Sequence, residues 1–118
     1  MANPSTTGPS GIGSEVLRRT HSLNTGSATT TLITVDTDMI VTLLSVIITN
    51  QNTSDRNFYL QIFPDGGGQC VIARGVIPPS STFVFNEKVV LTETDLLKLE
   101  CDSPDHDIYV SYIEQEFE

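Results

Sequence analysis

Side-chain catalysis needs a base, a nucleophile or a metal, and this 118-residue chain holds few of each. Its two histidines are His21, near the N-terminus, and His106, between Asp105 and Asp107. An Asp–His pair adjacent in sequence does not make a relay, because neighbouring side chains of an extended chain leave on opposite faces. No Gly-x-Ser-x-Gly turn presents a serine nucleophile. Gly66-Gly67-Gly68 lacks the Lys-Ser/Thr and the helix of a phosphate loop and reads as a hairpin turn. Cys70, Cys101 and the histidines show no metal-site spacing, which argues against zinc. Each cysteine lies in an apolar stretch, so both are expected to be buried free thiols. What remains is carboxylate chemistry. Asp102, Asp105 and Asp107 share one loop, with Glu100 close by. Hard cations such as calcium take several such oxygens. The loop lacks the glycine and closing glutamate of an EF-hand, however, and a solvated acidic turn is the simpler reading. The chain is therefore expected to be non-enzymatic and to carry no cofactor.

Fifteen acidic residues stand against six basic ones, a formal charge of −9. Phosphate backbones and anionic membranes both call for a basic surface, so neither nucleic acid nor membrane is expected as a partner. The charge is unevenly placed. Residues 1–28 carry Glu15, Arg18 and Arg19, whereas residues 86–118 carry ten acids and two bases. The two ends have opposite sign and could attract each other between copies, although a solvated acidic rim is the plainer account. No apolar run approaches the roughly 20 residues of a membrane-spanning helix, and the N-terminus lacks the order of a signal peptide. The expectation is a protein made in, and not exported from, the cytoplasm.

The elements that must hold these residues fall into two parts. Residues 1–28 are rich in Pro, Gly, Ser and Thr, with too little apolar surface to fold alone, and are expected to form an extended arm. The island Val16-Leu17-Arg18-Arg19 within it is a candidate docking element. Residues 29–118 read as a β domain. Met39 to Thr49 is so continuously apolar, and so rich in Ile, Val and Thr, that a central strand buried on both faces is expected. Asn57 to Phe63 alternates, with Phe58, Leu60 and Ile62 opposed to Tyr59, Gln61 and Phe63. Further short strands follow at Gln69–Arg74, Thr82–Asn86, Val89–Leu91, Leu96–Cys101 and Ile108–Ile113, separated by turn residues. Seven or eight short strands at this spacing predict an all-β, antiparallel β-sandwich, jelly-roll-like. The connections at Gly66–Gly68 and Pro78–Pro79 are expected to cross between its two sheets.

The aromatics have acidic rather than basic neighbours, so core packing is preferred to base stacking. Tyr59, Phe63 and Tyr109 fall on the minority faces of their strands. They are candidates for a second buried surface such as a subunit interface, where Tyr and Phe are enriched.

Three stretches together resemble a family: Gly13-Ser14-Glu15-Val16-Leu17-Arg18-Arg19-Thr20, the segment Ile77-Pro78-Pro79-Ser80-Ser81 leading to Val89-Val90-Leu91, and Asp107-Ile108-Tyr109-Val110-Ser111-Tyr112-Ile113-Glu114-Gln115. The order resembles small structural proteins of tailed phages, cyanophage-like. The resemblance implies a virion component without enzymatic activity, made in the host cytoplasm. Its expected place is the capsid, as a decoration, cement or head-associated protein whose arm clamps neighbouring subunits. A neck, tail or baseplate component, or a receptor-contacting tip, is the alternative. The partners it implies are further copies of the chain, with a trimer favoured, and other virion proteins. Arg18 and Arg19 would then pair with acids such as Glu114 or Glu116 of a neighbour.

Overall fold

The computed structural model describes residues 15–22, 29–102 and 105–116. The other residues, including most of the expected arm (1–14 and 23–28) and Ser103, Pro104, Phe117 and Glu118, lie outside the described residues. The described chain forms nine strands: β1 (Glu15–Ser22), β2 (Thr29–Thr34), β3 (Met39–Asn50), β4 (Arg56–Phe63), β5 (Cys70–Ile77), β6 (Thr82–Phe85), β7 (Val89–Thr92), β8 (Leu96–Cys101) and β9 (His106–Glu116). A single 3₁₀ turn at Pro64–Gly66 interrupts the pattern. All strand pairs are antiparallel.

The strands form two sheets. The first runs β1-β9-β3, with β6 and β7 lying end to end along the far side of β3; the second runs β2-β8-β4-β5. Pairing is nested. β4 pairs with β5, β3 with β6 and β7, β2 with β8, and β1 with β9. The chain is thus a ribbon folded back on itself at the β4–β5 hairpin and rolled into two stacked layers, which is a jelly roll. The expected β-sandwich is the observed architecture, with nine strands rather than seven or eight.

Two differences from the sequence reading concern a boundary and a crossing. Residues 15–22, expected within the extended arm, form the edge strand β1 of the first sheet. Their alternating character is too polar to announce a strand, and the partner that stabilises them lies at the other end of the chain. The second concerns crossings. The Pro78–Pro79 corner does carry the chain from β5 in the second sheet to β6 in the first, but Gly66–Gly68 stays within the second sheet as the β4–β5 hairpin.

The core lies between the layers. Val41, Leu43, Val46, Ile48, Leu91 and Val110 of the first sheet and Leu60 and Leu97 of the second are wholly buried. The Phe58 ring meets Phe83 from the opposite layer, with centroids 4.6 Å apart and planes tilted by 45°, a favourable aromatic arrangement. A bulge in β3 between Leu43 and Ser45 keeps this face in register. Leu43 and Val46 both point inward, because the extra residue Leu44 absorbs the odd step.

Two buried polar side chains tie the connections to the core. Asn50, at the end of β3, donates through Nδ2 to the carbonyls of Ser54 (3.0 Å), Ile77 (2.9 Å) and Pro78 (3.3 Å) and accepts from the Asn52 N–H (2.8 Å). Asp95, before β8, accepts from the N–H groups of Asp65 (3.0 Å) and Thr92 (2.9 Å). Its own backbone carbonyl accepts from Val35 N–H at 3.1 Å. The left-handed residues Asp38, Asp65, Ser80, Thr94 and Asp105 all sit in connections. Thr94 is β-branched, so its φ of 69° is strained. Its hydroxyl donates to Asp65 Oδ1 at 2.9 Å and its N–H to Val35 O at 3.0 Å, which holds it there.

Candidate interaction surface

Register assigns each residue of the first sheet to the core or to the outer face. Opposed residues form rows across β1, β9, β3 and the β6/β7 edge. One row is His21, Tyr109, Ile47 and Val84; another is Leu17, Ile113, Thr42 and Val90. Between them runs a row of small or polar residues, Arg19, Ser111 and Ser45. Beyond them lie Asp107, Thr49 and Thr82 on one side, and Glu15, Gln115, Ile40 and Thr92 on the other. The face is therefore built of two apolar rows set among Ser and Thr.

Leu17 is 72% exposed, Val90 61%, Val84 52% and Tyr109 43%. Of the eight large hydrophobic side chains exposed among the described residues, these four and Ile47 share this one face. The burial expected on both faces of residues 39–49 is thus met on one only. Ile40, Leu44 and Ile47 leave the core side and are half-buried or exposed. Two depressions flank Tyr109. One of about 410 Å³ is lined by Arg19, His21, Ile47, Thr49, Asp107 and Tyr109. The other, of about 420 Å³, lies over the serine row and is lined by Leu17, Arg19, Leu44, Tyr109 and Ser111.

Charge is confined to one side of the face. Arg19 donates from Nη1 to His21 Nδ1 at 2.7 Å, since a guanidinium can only donate. Among the described strand residues of the first sheet, the outward charged side chains are Glu15 and Arg19 on β1 and Asp107 on β9, with His21 beside them. None lies on β3, β6 or β7.

The residues picked from sequence do not form one patch. Leu17, Arg19 and Tyr109 share the outer face just described. Val16, Arg18, Glu114 and Glu116 point to the inner side of β1 and β9, near the open end of the sandwich. There Arg18 Nε donates to Glu114 Oε1 at 2.7 Å. The ion pair expected between neighbouring copies is therefore made within one chain, because the register sets Glu114 diagonally across from Arg18. Tyr112, opposite Arg18, has its phenol pushed up in pKa, mainly by burial and then by Glu114, with Arg18 opposing. Tyr59 and Phe63 lie on the other side of the molecule, on the outer face of the second sheet. Tyr59 stands between Glu100 and Arg74, and Phe63 carries the Lys98 ammonium 4.7 Å from its ring centre.

The acidic loop does not converge. Asp102 accepts from the backbone and side-chain N–H groups of Asn57, at 3.2 and 3.1 Å, while Asp107 accepts from Gln51 Nε2. Asp105 takes a left-handed turn and its carbonyl accepts from Gln51 N–H at 2.9 Å. Among the described residues no three His, Cys, Asp or Glu side chains are grouped to hold a metal ion. His106 is wholly buried opposite Asn50, whereas Asp107 faces out, as strand alternation requires. Both cysteines are free. Cys101 is buried as expected, with its thiol pushed up to about 12 by burial and by Asp102 and Glu100. Cys70, expected to be buried, is exposed at the start of β5, the edge strand of the second sheet among the described residues.

Sequence reasoning missed Ile47, Val84, Val90 and Ile113 as surface residues. The signal was present in the unbroken apolar run of β3 and in Thr82-Phe83-Val84-Phe85, where both faces of the strand are apolar. In residues 39–49 such a run equally predicts burial on both faces, which hides the exposed one.

No protein-family model matches the chain, and no curated protein matches it in sequence. Solved structures do resemble it. A protein of Bacillus endospore appendages, described as disulfide-linked pili, superposes with a TM-score of 0.55 at 10% identity, covering 89% of this chain and 90% of that one. The Drosophila NLP core, described through its pentamer formation and histone binding, gives 0.56 at 14% identity, covering 86% and 99%. A pentameric capsid protein from metagenomic phage sequences gives 0.42 at 15% identity, covering 85% and 64%. For the appendage protein and the NLP core, the likeness at these identities is one of fold alone.

Proposed function

We propose that this chain is a non-enzymatic structural subunit of a phage particle, placed on the capsid as a decoration, cement or head-associated protein. The observation that carries the reading is the outer face of the first sheet. A protein with a formal charge of −9 presents there two rows of exposed Leu, Ile, Val and Tyr side chains among Ser and Thr, with strand charges only on β1 and β9. Exposed apolar side chains gathered on one face in this way mark contacts with other proteins. The jelly-roll fold, used in viral capsid domains among others, is compatible with it, and so is the resemblance of residues 77–91 and 107–115 to phage structural proteins. The two better-superposing structures are both described as parts of assemblies, a pilus and a pentamer. In the clamping version of the proposal, only residues 1–14 are left to reach a neighbour, since residues 15–22 are a strand of the fold.

The test is location. Purified particles should contain the protein in many copies by quantitative mass spectrometry, and antibody against it should decorate heads in electron micrographs. Particles free of the protein would overturn the reading. Particles that retain a 1–14 deletion at full occupancy would remove the clamp alone.

A receptor-contacting tail tip is the second reading. It is favoured by the depression beside Tyr109, where Arg19, His21 and Asp107 place polar groups around an aromatic ring. Host adsorption unchanged in particles carrying Tyr109→Ala and Asp107→Ala would dispose of it.

A further inference from the structure

We infer that the outer face of the first sheet is closed by the same face of a second copy of this chain, with Tyr109 of each copy seated in a depression of the other. The inference rests on the structural-subunit reading and names its contact. Three observations support a second copy as the occupant.

The first is charge. Two molecules of net charge −9 repel each other wherever their acids meet. On this face two outward acids, Glu15 and Asp107, stand against Arg19, and β3, β6 and β7 contribute none. It is therefore a surface on which two copies can approach with little electrostatic cost.

The second is shape. Tyr109 projects between depressions of about 410 and 420 Å³. A ridge beside a hollow is self-complementary under a two-fold rotation, which is what an isologous interface demands. An amphipathic aromatic at the centre of such a patch is the usual anchor.

The third is size. Strands about 4.8 Å apart and residues rising about 3.3 Å make a four-strand face about 20 Å wide and about 30 Å long. Each copy then contributes about 600 Å², and the pair about 1,200 Å², the lower bound for specific association. The twist of each sheet lets two such faces pack about 10 Å apart at about −30°. A two-fold pair, not a trimer, is the unit this face builds.

The experiment is light scattering after size exclusion on the full chain, from micromolar to hundreds of micromolar, for the wild type and five variants. Ile47→Glu and Ile47→Lys bury opposite charges in the contact and shift net charge in opposite directions. Both should give monomer, whereas a general charge effect would split them. Tyr109→Ala should weaken the pair by about thirtyfold or more. Val84→Glu repeats the test on another strand, and Val76→Glu, on the outer face of the second sheet, should leave the dimer intact. Circular dichroism confirms that each variant is folded, as expected for exposed positions. A wild-type monomer throughout the range overturns the inference. So does a dimer or trimer that survives both Ile47 variants, or one that only Val76→Glu dissociates. Copy number on particles is measured separately, so a monomer that still decorates heads would end this contact and leave the structural role standing.

Discussion

Replacing Asn50 with alanine tests how the loops are bound to the core. Asn50 is wholly buried, and its amide serves groups from two connections, Ser54 and Asn52 on one side and Ile77 and Pro78 on the other. Alanine strands the Ile77 carbonyl in a buried setting, at a cost of about 1–3 kcal/mol. The Ser54 carbonyl and the Asn52 N–H recover water in part and lose about 0.5–1.5 kcal/mol each. The expected loss is about 2–6 kcal/mol, a large share of what stabilises a domain of this size. At about 4 °C per kcal/mol, the Tm should fall by about 8–24 °C. Asn50→Asp should be worse at neutral pH, because a carboxylate would face carbonyl oxygens that need a donor. Protonation supplies that donor, so the folded state raises the new group's pKa. Its stability is then present at low pH and is lost as pH rises. Urea unfolding followed by circular dichroism, with both variants in matched buffers at two pH values, reads these differences directly. The reasoning fails if Asn50→Ala stays within about 1 kcal/mol of wild type, or if Asn50→Asp is the more stable of the two at neutral pH.

In the native protein Cys70 should react with a thiol reagent at the rate of an exposed cysteine, and Cys101 only on unfolding. Because Cys101 keeps its proton to about pH 12 in the fold but has an ordinary value of 9.0, its contribution is intact below pH 9 and is lost at about 1.4 kcal/mol per pH unit across that window. Cys101→Ala should therefore show a shallower alkaline decline in unfolding free energy than wild type. Arg18→Ala leaves the largely buried Glu114 without its nearest cation and should cost about 1–2 kcal/mol in urea unfolding, less at molar salt, with Arg18→Lys between. Gly75→Ala should raise stability by about 0.4–1 kcal/mol in a thermal melt. A methyl there meets the Phe58 ring at an ordinary 3.5 Å.

Much of the sandwich was legible because burial writes itself as alternation. Spacing alone sets Phe58, Leu60 and Ile62 on one face of their strand, which is the buried one, and the Pro78–Pro79 corner lies at a sheet crossing as expected. β1 was missed for a physical reason. An edge strand needs only one hydrogen-bonded neighbour, and its inward residues, Val16, Arg18, Thr20 and Ser22, carry too little apolar character to show a period. Asn50 and Asp95 read as loop polarity, since their partners come from segments brought near only by folding. The bulge at Leu44 disguised the outer face of β3, because an extra apolar residue in a strand looks like burial on both sides. The candidate surface was half visible. Tyr109 and Leu17 were singled out, but the rows that join them to Ile47, Val84, Ile113 and Val90 exist only once the register is known.

The nested pairing also orders the folding of the chain in time. Closing a loop costs more entropy the longer it is, and each inner pair, once formed, shortens the loop that the next must close. The β4–β5 hairpin spans a few residues, whereas β1 meets β9 across nearly the whole chain. Zipping from the hairpin outward is therefore the cheapest route, and a topology so rich in distant contacts folds slowly for its size. Of the nine described strands β1 is made first and pairs last, waiting for β9, the last of them to be synthesised. During that interval the β9 of any neighbouring copy is chemically the same target. Pulse-labelled amide exchange should find β4 and β5 protected before β1. At high local concentration, late closure of this kind favours strand-exchanged copies over separate ones.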